Sequence, residues 1–346
     1  MTDLDTLARA ATQELLERTT PDVRSRYADL RRIRARRTTA KVAAVGVATA
    51  LAIGGWQLAG PHERSIEPAP QPQGVRNGTL LGLPGPDVGP RARWVTVSGE
   101  PLGHLPEDAA LFAQYQFTAA GTEIVYADRR ARISAVDVTT GETRTLLDCP
   151  DDVCAAAVSP DLETVAWADG ESVWLTTVGS EATVHVSGTD VGAVGAPSWA
   201  PDGHTLAFVG GGAIHLADLD SGEVSRVSPQ GSEVTGPIAW SPDGRGLAYF
   251  VTTPARQPRY DTAFTATVLD LATASATPLL DAGHCGCGGL PQPTLTWSPD
   301  GRGIAVTTTK DAPLPWGVYL VPPGGGDPER IAAGVYAALA WQPLRG

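Results

Sequence analysis

Short runs of alternating hydrophobic and polar residues fill most of the chain after residue 75 and recur as one pattern. In the stretch "PIAWSPDGRGLAYF" an apolar run ends at Trp240, a polar turn follows, and Leu247 and Tyr249 alternate with their neighbours along a second run. Alternation with a period of two predicts β-strands. In the preceding copy of the pattern, two further runs, "AIHLADLD" and "VSRVS", flank a Ser-Gly-Glu turn. Each copy therefore predicts four antiparallel strands joined by tight turns.

Six copies of this pattern follow one another along the chain. The steps between them are 41, 41, 41, 57 and 44 residues, and they begin at the anchor residues Phe117, Val158, Trp199, Trp240, Trp297 and Trp341. A period of about 40 residues built from strands and turns is typical of a β-propeller. We therefore predict an all-β, six-bladed propeller of four-stranded antiparallel blades over residues 75–346. The last copy has room for one strand, so strands before the first anchor, in "GTLLGLP" and "RWVTVSGEPLGHL", complete that blade.

The turn after each anchor combines three residue types with different roles. Proline presets φ, aspartate bonds back to the main chain, and glycine accepts a positive φ. In the three strongest copies these roles fall to Pro201, Asp202, Gly203, Pro242, Asp243, Gly244, Pro299, Asp300 and Gly301. We interpret the repeated aspartates as turn formers rather than a catalytic set. The anchors are interpreted as packing residues between blades rather than ligand contacts.

An uncharged apolar run, "VAAVGVATALAIGGWQLA", covers residues 42–59. Eighteen helical residues span about 27 Å, close to the hydrocarbon thickness of a bilayer. Because cations precede the run and acids follow it, the positive-inside rule predicts a transmembrane helix over 42–60 with the N-terminus in the cytoplasm. The propeller is then extracytoplasmic. A core helix needs no flanking cations, and a cleaved signal peptide does not usually follow so long a basic region, so these two alternatives are less favoured.

The segments on either side of the span complete the domain organisation. Residues 1–41 carry two helical apolar stripes and are either a basic segment that sets topology or a docking helix pair for a cytoplasmic protein. Residues 61–74 are rich in proline and predict an extended spacer. Within the span, Gly46, Ala50 and Gly54 are spaced four apart, a small-residue pattern that lets two helices approach and form a homodimer.

Charge divides at the same boundary. The formal net charge is −12, but residues 1–60 hold ten basic and six acidic side chains, so they carry +4 and the rest carries −16. Nucleic-acid binding needs a basic footprint, so the net charge of the propeller argues against it. A hydrophobic fraction of 42% argues against a chain that is disordered throughout.

The W-S-P-D-G-x-x-[IL]-[AV]-[FY] stretch at Trp240 and its copies resembles the TolB-type (WD40-like, PD40) propeller repeat over residues 75–346. This resemblance implies protein-binding or scaffolding work on an unknown protein or envelope ligand, and a high-GC bacterial source is expected. A basic tail, a span and an outer domain also resemble membrane-bound anti-sigma regulators, although their H-x-x-x-C-x-x-C zinc motif is missing. No nucleophile elbow, H-E-x-x-H or P-loop is found, so we expect no enzyme activity and no cofactor. The alternative is a lactonase- or hydrolase-type propeller with an axial metal.

Four cysteines follow the predicted span, where an oxidising compartment favours disulfides. Cys149 and Cys154 flank "PDDV" and predict a local disulfide. Cys285 and Cys287 lie in "GHCGCGG" next to a histidine, and structural pairing, a metal site and redox activity all stay open. The two pairs precede anchors three blades apart, too far for cross-pairing. Insertions at "TTPARQPRYDTAF" and "GHCGCGGLPQP" explain the 57-residue step and are expected to form loops of the kind that carry binding sites.

Overall fold

The computed structural model describes part of the chain: residues 75–84, 95–96, 115–127, 132–149, 155–180, 182–186, 188–189, 191–228, 233–254, 262–285, 292–309 and 312–345. The predicted tail (1–41), transmembrane helix (42–60) and spacer (61–74) lie outside these residues. All the regular elements within them are strands. In this part of the chain no helix is long and apolar enough to cross a membrane.

The strands are numbered in chain order. They are β1 (Val75–Pro84), β2 (Val95–Thr96), β3 (Gln116–Phe117), β4 (Glu123–Ala127), β5 (Arg132–Asp137), β6 (Thr143–Asp148), β7 (Ala155–Val158), β8 (Thr164–Ala168), β9 (Val173–Thr177), β10 (Thr183–His185), β11 (Ala193–Trp199), β12 (Thr205–Gly210), β13 (Ala213–Asp218), β14 (Val224–Arg226), β15 (Glu233–Trp240), β16 (Gly246–Pro254), β17 (Thr262–Asp270), β18 (Ser275–Cys285), β19 (Leu295–Trp297), β20 (Ile304–Thr307), β21 (Gly317–Val321), β22 (Glu329–Ala333) and β23 (Tyr336–Arg345).

The strands form a propeller with five four-stranded antiparallel blades. We call them blade 1 (β3–β6), blade 2 (β7–β10), blade 3 (β11–β14), blade 4 (β15–β18) and blade 5 (β19–β22). The prediction of six four-stranded blades is therefore wrong for the residues described. Each of the first five anchors is the last residue of the first strand of a blade. The sixth anchor, Trp341, does not belong to a four-stranded blade.

The residues around Trp341 form a three-stranded sheet instead, in the order β2-β1-β23. Its strands come from distant parts of the sequence: Val75 pairs with Arg345, Leu80 with Trp341 and Leu81 with Thr96. The "GTLLGLP" stretch thus pairs with the strand of the last anchor, as predicted. Three strands of this sheet are described where four were predicted. Of "RWVTVSGEPLGHL", only Val95–Thr96 is described, as β2, and the rest lies outside the described residues. The sheet contacts β19 on one side and β3 on the other through β23.

The hydrophobic core lies between the faces of neighbouring sheets rather than in one layer. Leu247 and Tyr249 of β16 pack toward blade 3, while Ala248 and Phe250 pack toward blade 5. All four side chains are fully buried. The alternation seen in the sequence therefore separates two buried faces, because every blade is covered by a neighbour on each side.

Blade 4 has the longest middle and outer strands, with nine, nine and eleven residues in β16, β17 and β18. Thr252 pairs with Phe264 close to the connection between β16 and β17. Both residues belong to the predicted loop insertion, so part of that insertion extends the strands. Residues 255–261 and 286–291 lie outside the described residues.

Candidate functional site

The repeated turns join the inner strand of each blade to its second strand, and their aspartates are hydrogen-bonded within the turn. In blade 4 the Ser241 hydroxyl donates to Asp243 Oδ1 at 2.6 Å, and the Gly244 N–H donates to the Ser241 carbonyl at 2.9 Å. Blade 5 repeats the first contact at 2.7 Å between Ser298 and Asp300. Gly244, like Gly203 and Gly301, has a φ of +71° or +72°, a conformation that glycine adopts without strain.

Asp300 shows the balance of forces in these turns. Partial burial by itself raises the pKa of this carboxyl group. Hydrogen bonds from the Ser298 hydroxyl, the Arg302 N–H and the Asn77 side chain, together with the charge of Arg302, outweigh that effect, and the pKa lies below its usual value. The carboxylate therefore stays ionised, held by its own turn and by Asn77 of β1.

Three anchor tryptophans connect neighbouring inner strands by hydrogen bonds. The indole Nε1 of Trp199 donates to the Ala157 carbonyl at 3.1 Å, and that of Trp240 donates to the Ser198 carbonyl at 3.0 Å. Trp297 repeats the contact at 3.0 Å with the Ala239 carbonyl of blade 4. Each bond crosses from one blade to the preceding one, so these side chains link the blades by hydrogen bonding as well as by packing.

The other anchors occupy the same structural position with different contacts. Phe117 and Val158 are buried and have apolar side chains. Trp341 donates to the Gly78 carbonyl at 3.3 Å, within the three-stranded sheet. Blade 1 is linked to the following blade by Gln116, whose Nε2 donates to the Val158 carbonyl at 3.4 Å.

A central cavity of about 1130 Å³ lies among the inner strands β3, β7, β11, β15, β19 and β23. Its walls are formed mainly by small or neutral residues, among them Gln116, Ala156, Ser198, Ala239, Thr296 and Ala337. Prolines from the repeated turns, including Pro201, Pro242 and Pro299, line one mouth. Among the described residues that line the cavity, Asp202 alone carries a charge.

Two of the inner strands bulge where they line this cavity. In β11, Val194 pairs with Val209 and Ser198 with Ala207, so residues 195–197 have no partner residue in line on β12. In β15 the same shift leaves residues 236–238 between two paired positions. Each bulge contains a glycine with positive φ, Gly195 at +74° and Gly236 at +78°, followed by a proline. Bulges often lie next to functional sites.

Sequence reasoning did not predict this cavity or its bulges. A signal was nevertheless present, because a glycine stands four residues before both Trp199 and Trp240, with a proline between glycine and tryptophan in each case. Glycine and proline inside an otherwise regular strand pattern indicate a bulge.

The cysteines contribute little described geometry. Cys149 directly follows β6 and packs beside the core between blades 1 and 2, whereas Cys154 and Cys287 lie outside the described residues. Cys285 is the last residue of β18, and its side chain is not among those described. Their pairing, metal and redox hypotheses therefore stay predictions. In the described part of the chain, no group of three or more His, Cys, Asp or Glu side chains is placed to hold a metal ion.

Comparison with known proteins identifies similar structures but no family. No protein-family model matches the chain, and no curated protein matches it. The crystal structure of TolB from Acinetobacter baumannii is similar with a TM-score of 0.56 and 16% identity, covering 79% of this chain and 67% of that one. A putative TolB from Agrobacterium tumefaciens gives 0.52 and 14%, covering 79% and 99%. A chain of a nidogen–laminin complex gives 0.54 and 13%, covering 78% and 98%.

These similarities show a TolB-like propeller fold. At such low identities they carry no residue-level role to this chain. The predicted resemblance to TolB-type propellers is confirmed for the fold.

Proposed function

We propose that this propeller is a protein-binding module whose central cavity receives a segment of its partner. The observation that carries the proposal is the cavity itself, about 1130 Å³ in volume and lined by the inner strands of all five blades and by β23. Ligand sites for small molecules usually occupy about 300–1,000 Å³. A cavity at or above the upper end of that range has room for a short stretch of polypeptide.

The lining determines what kind of segment fits. Burying a charge without a partner is costly, and Asp202 is the single charged residue among the described lining residues. The inserted residues are therefore small and neutral, with any charged flanks left outside. The bulges at 195–197 and 236–238 interrupt strand pairing at the cavity wall, where main-chain groups can bond to an extended partner.

The comparisons support protein binding as the class of function. One structurally similar chain comes from a complex of nidogen with laminin, and two others are TolB proteins. The membrane anchor over 42–60, the extracytoplasmic location and signalling through the tail stay predictions from the sequence. The alternative of a propeller hydrolase with an axial metal also stays a prediction.

Site-specific photocrosslinking tests the proposal in cells that make the full chain. A photoreactive residue replaces Gln116 or Thr296 at the cavity, or Thr145 on the exposed edge strand β6 as the matched control. We expect the two cavity positions to give a covalent adduct of the same added mass, and the control to lack it. Equal adducts at all three positions, or none at the cavity, would contradict the proposal. Unchanged thermal unfolding midpoints show that the variants are folded.

A further inference from the structure

Asn77 is the only asparagine in the 346-residue chain, and a glycine follows it. It lies in β1 with an exposed side chain. Its side-chain Oδ1 accepts a hydrogen bond at 3.1 Å from the main-chain N–H of Asp300, in the repeated turn of blade 5. The single asparagine therefore links the three-stranded sheet to that turn.

The backbone around Asn77 is irregular. Asn77 pairs with Pro343 and Leu80 with Trp341, so β1 carries an extra residue in a bulge. Because proline has no N–H, the residue opposite Asn77 donates no ladder hydrogen bond to it. Gly78 lies tightly against β23, and a Cβ at this position would be 2.8 Å from the Gln342 carbonyl oxygen. The glycine is therefore required here for packing.

We propose that Asn77–Gly78 is a self-modifying site that deamidates in the folded protein. The main-chain nitrogen of Gly78 attacks Cγ of Asn77, and a bond forms between them. The Cγ–Nδ2 bond breaks, the proton of the attacking nitrogen goes to the leaving amine, and ammonia departs. Water then opens the resulting cyclic imide to either an aspartate or an isoaspartate linkage. No oxidant or reductant is needed, and water is the single co-reactant.

Three observations favour the reaction at this place. Gly78 has no side chain to shield its nitrogen. The Asp300 N–H already points at Oδ1, the oxygen that becomes negatively charged when Cγ is attacked, and a donor at such an oxygen stabilises the transition state. The exposure of Asn77 gives water access to the imide, whereas the leaving amide nitrogen first has to give up its hydrogen bond to the Asp300 carboxylate.

The products change the surface beside the cavity. A neutral amide becomes a carboxylate next to the Ser298–Gly301 turn, and both Pro299 of that turn and Pro343 opposite Asn77 line the cavity. An isoaspartate also inserts a methylene into the main chain of β1. Deamidation therefore adds negative charge near one mouth of the cavity as the protein ages.

Peptide mapping of the full-length chain tests the proposal. Folded protein, denatured protein and the variant Asn77→Gln are held in the same mildly alkaline buffer, and the peptide containing residue 77 is followed by mass spectrometry. We expect the folded wild-type peptide to gain one mass unit, since NH₂ is replaced by OH, and to separate into two isomers. The glutamine variant shows no such gain.

The comparison of rates decides the role of the fold. One outcome is that the folded chain converts Asn77 at a rate within about tenfold of the denatured chain, which is roughly 1.4 kcal/mol in activation free energy. That result supports the proposal, because the fold then still allows the reaction. Slower conversion than that, or no conversion, overturns the proposal because the structure then protects the asparagine.

Discussion

The buried hydroxyl of Tyr249 leads to a prediction about stability. The Tyr249 side chain is fully buried between blades 3 and 4, packed against Ile214, Leu216 and Leu269. Its hydroxyl has no hydrogen-bond partner among the described residues, and burial raises its pKa to about 12. A buried polar group left unsatisfied costs about 1–3 kcal/mol. Tyr249→Phe removes that group and keeps the ring, so we expect the free energy of unfolding to rise by about 1 kcal/mol.

Tyr319 provides a matched control in the same fold. It is also buried, but its hydroxyl donates to the Pro315 carbonyl at 2.8 Å. Tyr319→Phe deletes a satisfied hydrogen bond and leaves that carbonyl without this donor, so stability should fall by about 1 kcal/mol. Urea unfolding followed by tryptophan fluorescence measures both changes. If Tyr249→Phe destabilises the protein as much as Tyr319→Phe does, the Tyr249 hydroxyl has a partner and the reasoning is wrong.

Two further predictions concern side chains between and within blades. Trp240→Phe removes the 3.0 Å bond to the Ser198 carbonyl and should lower the free energy of urea unfolding by about 1–2 kcal/mol; an unchanged value would show that this hydrogen bond does not stabilise the fold. Burial lowers the pKa of His215, which stacks on Phe208 with ring centroids 5.3 Å apart. The unfolded state therefore takes up this proton first as the pH falls, and stability is lost below the usual histidine pKa of about 6.5. His215→Gln should show a smaller loss between pH 7 and pH 5, and an equal loss would exclude this histidine as the cause.

The parts of the fold that depend on neighbouring residues were predictable from the sequence. A strand, a Ser-Pro-Asp-Gly turn and a second strand are encoded within a few residues, and the anchors marked where blades begin. Even the indole contact follows the repeat: Trp240 reaches Ser198, which lies 42 residues earlier, one repeat and one residue away.

Other parts depend on residues that are far apart in sequence. The three-stranded sheet pairs Leu80 with Trp341, and no local pattern sets how many strands such a sheet has. An anchor marks an inner strand but does not guarantee three more, which is why six copies did not mean six four-stranded blades. The cavity was missed for a related reason: its shape depends on bulges at Gly195 and Gly236, which are defined by pairing to the next strand.

The pairing of β1 with β23 has a consequence for the synthesis of the protein. β1 leaves the ribosome some 250 residues before its partner strand Tyr336–Arg345 is made. During that interval the edge of β1 that later pairs with β23 is open, and open strand edges recruit other chains. Gly78 weakens a strand by itself, and the terminal Pro84 has no N–H to donate, so both interrupt that edge before β23 exists. The residues that shape the finished sheet therefore also make the waiting strand a poor template for aggregation in the newly made chain.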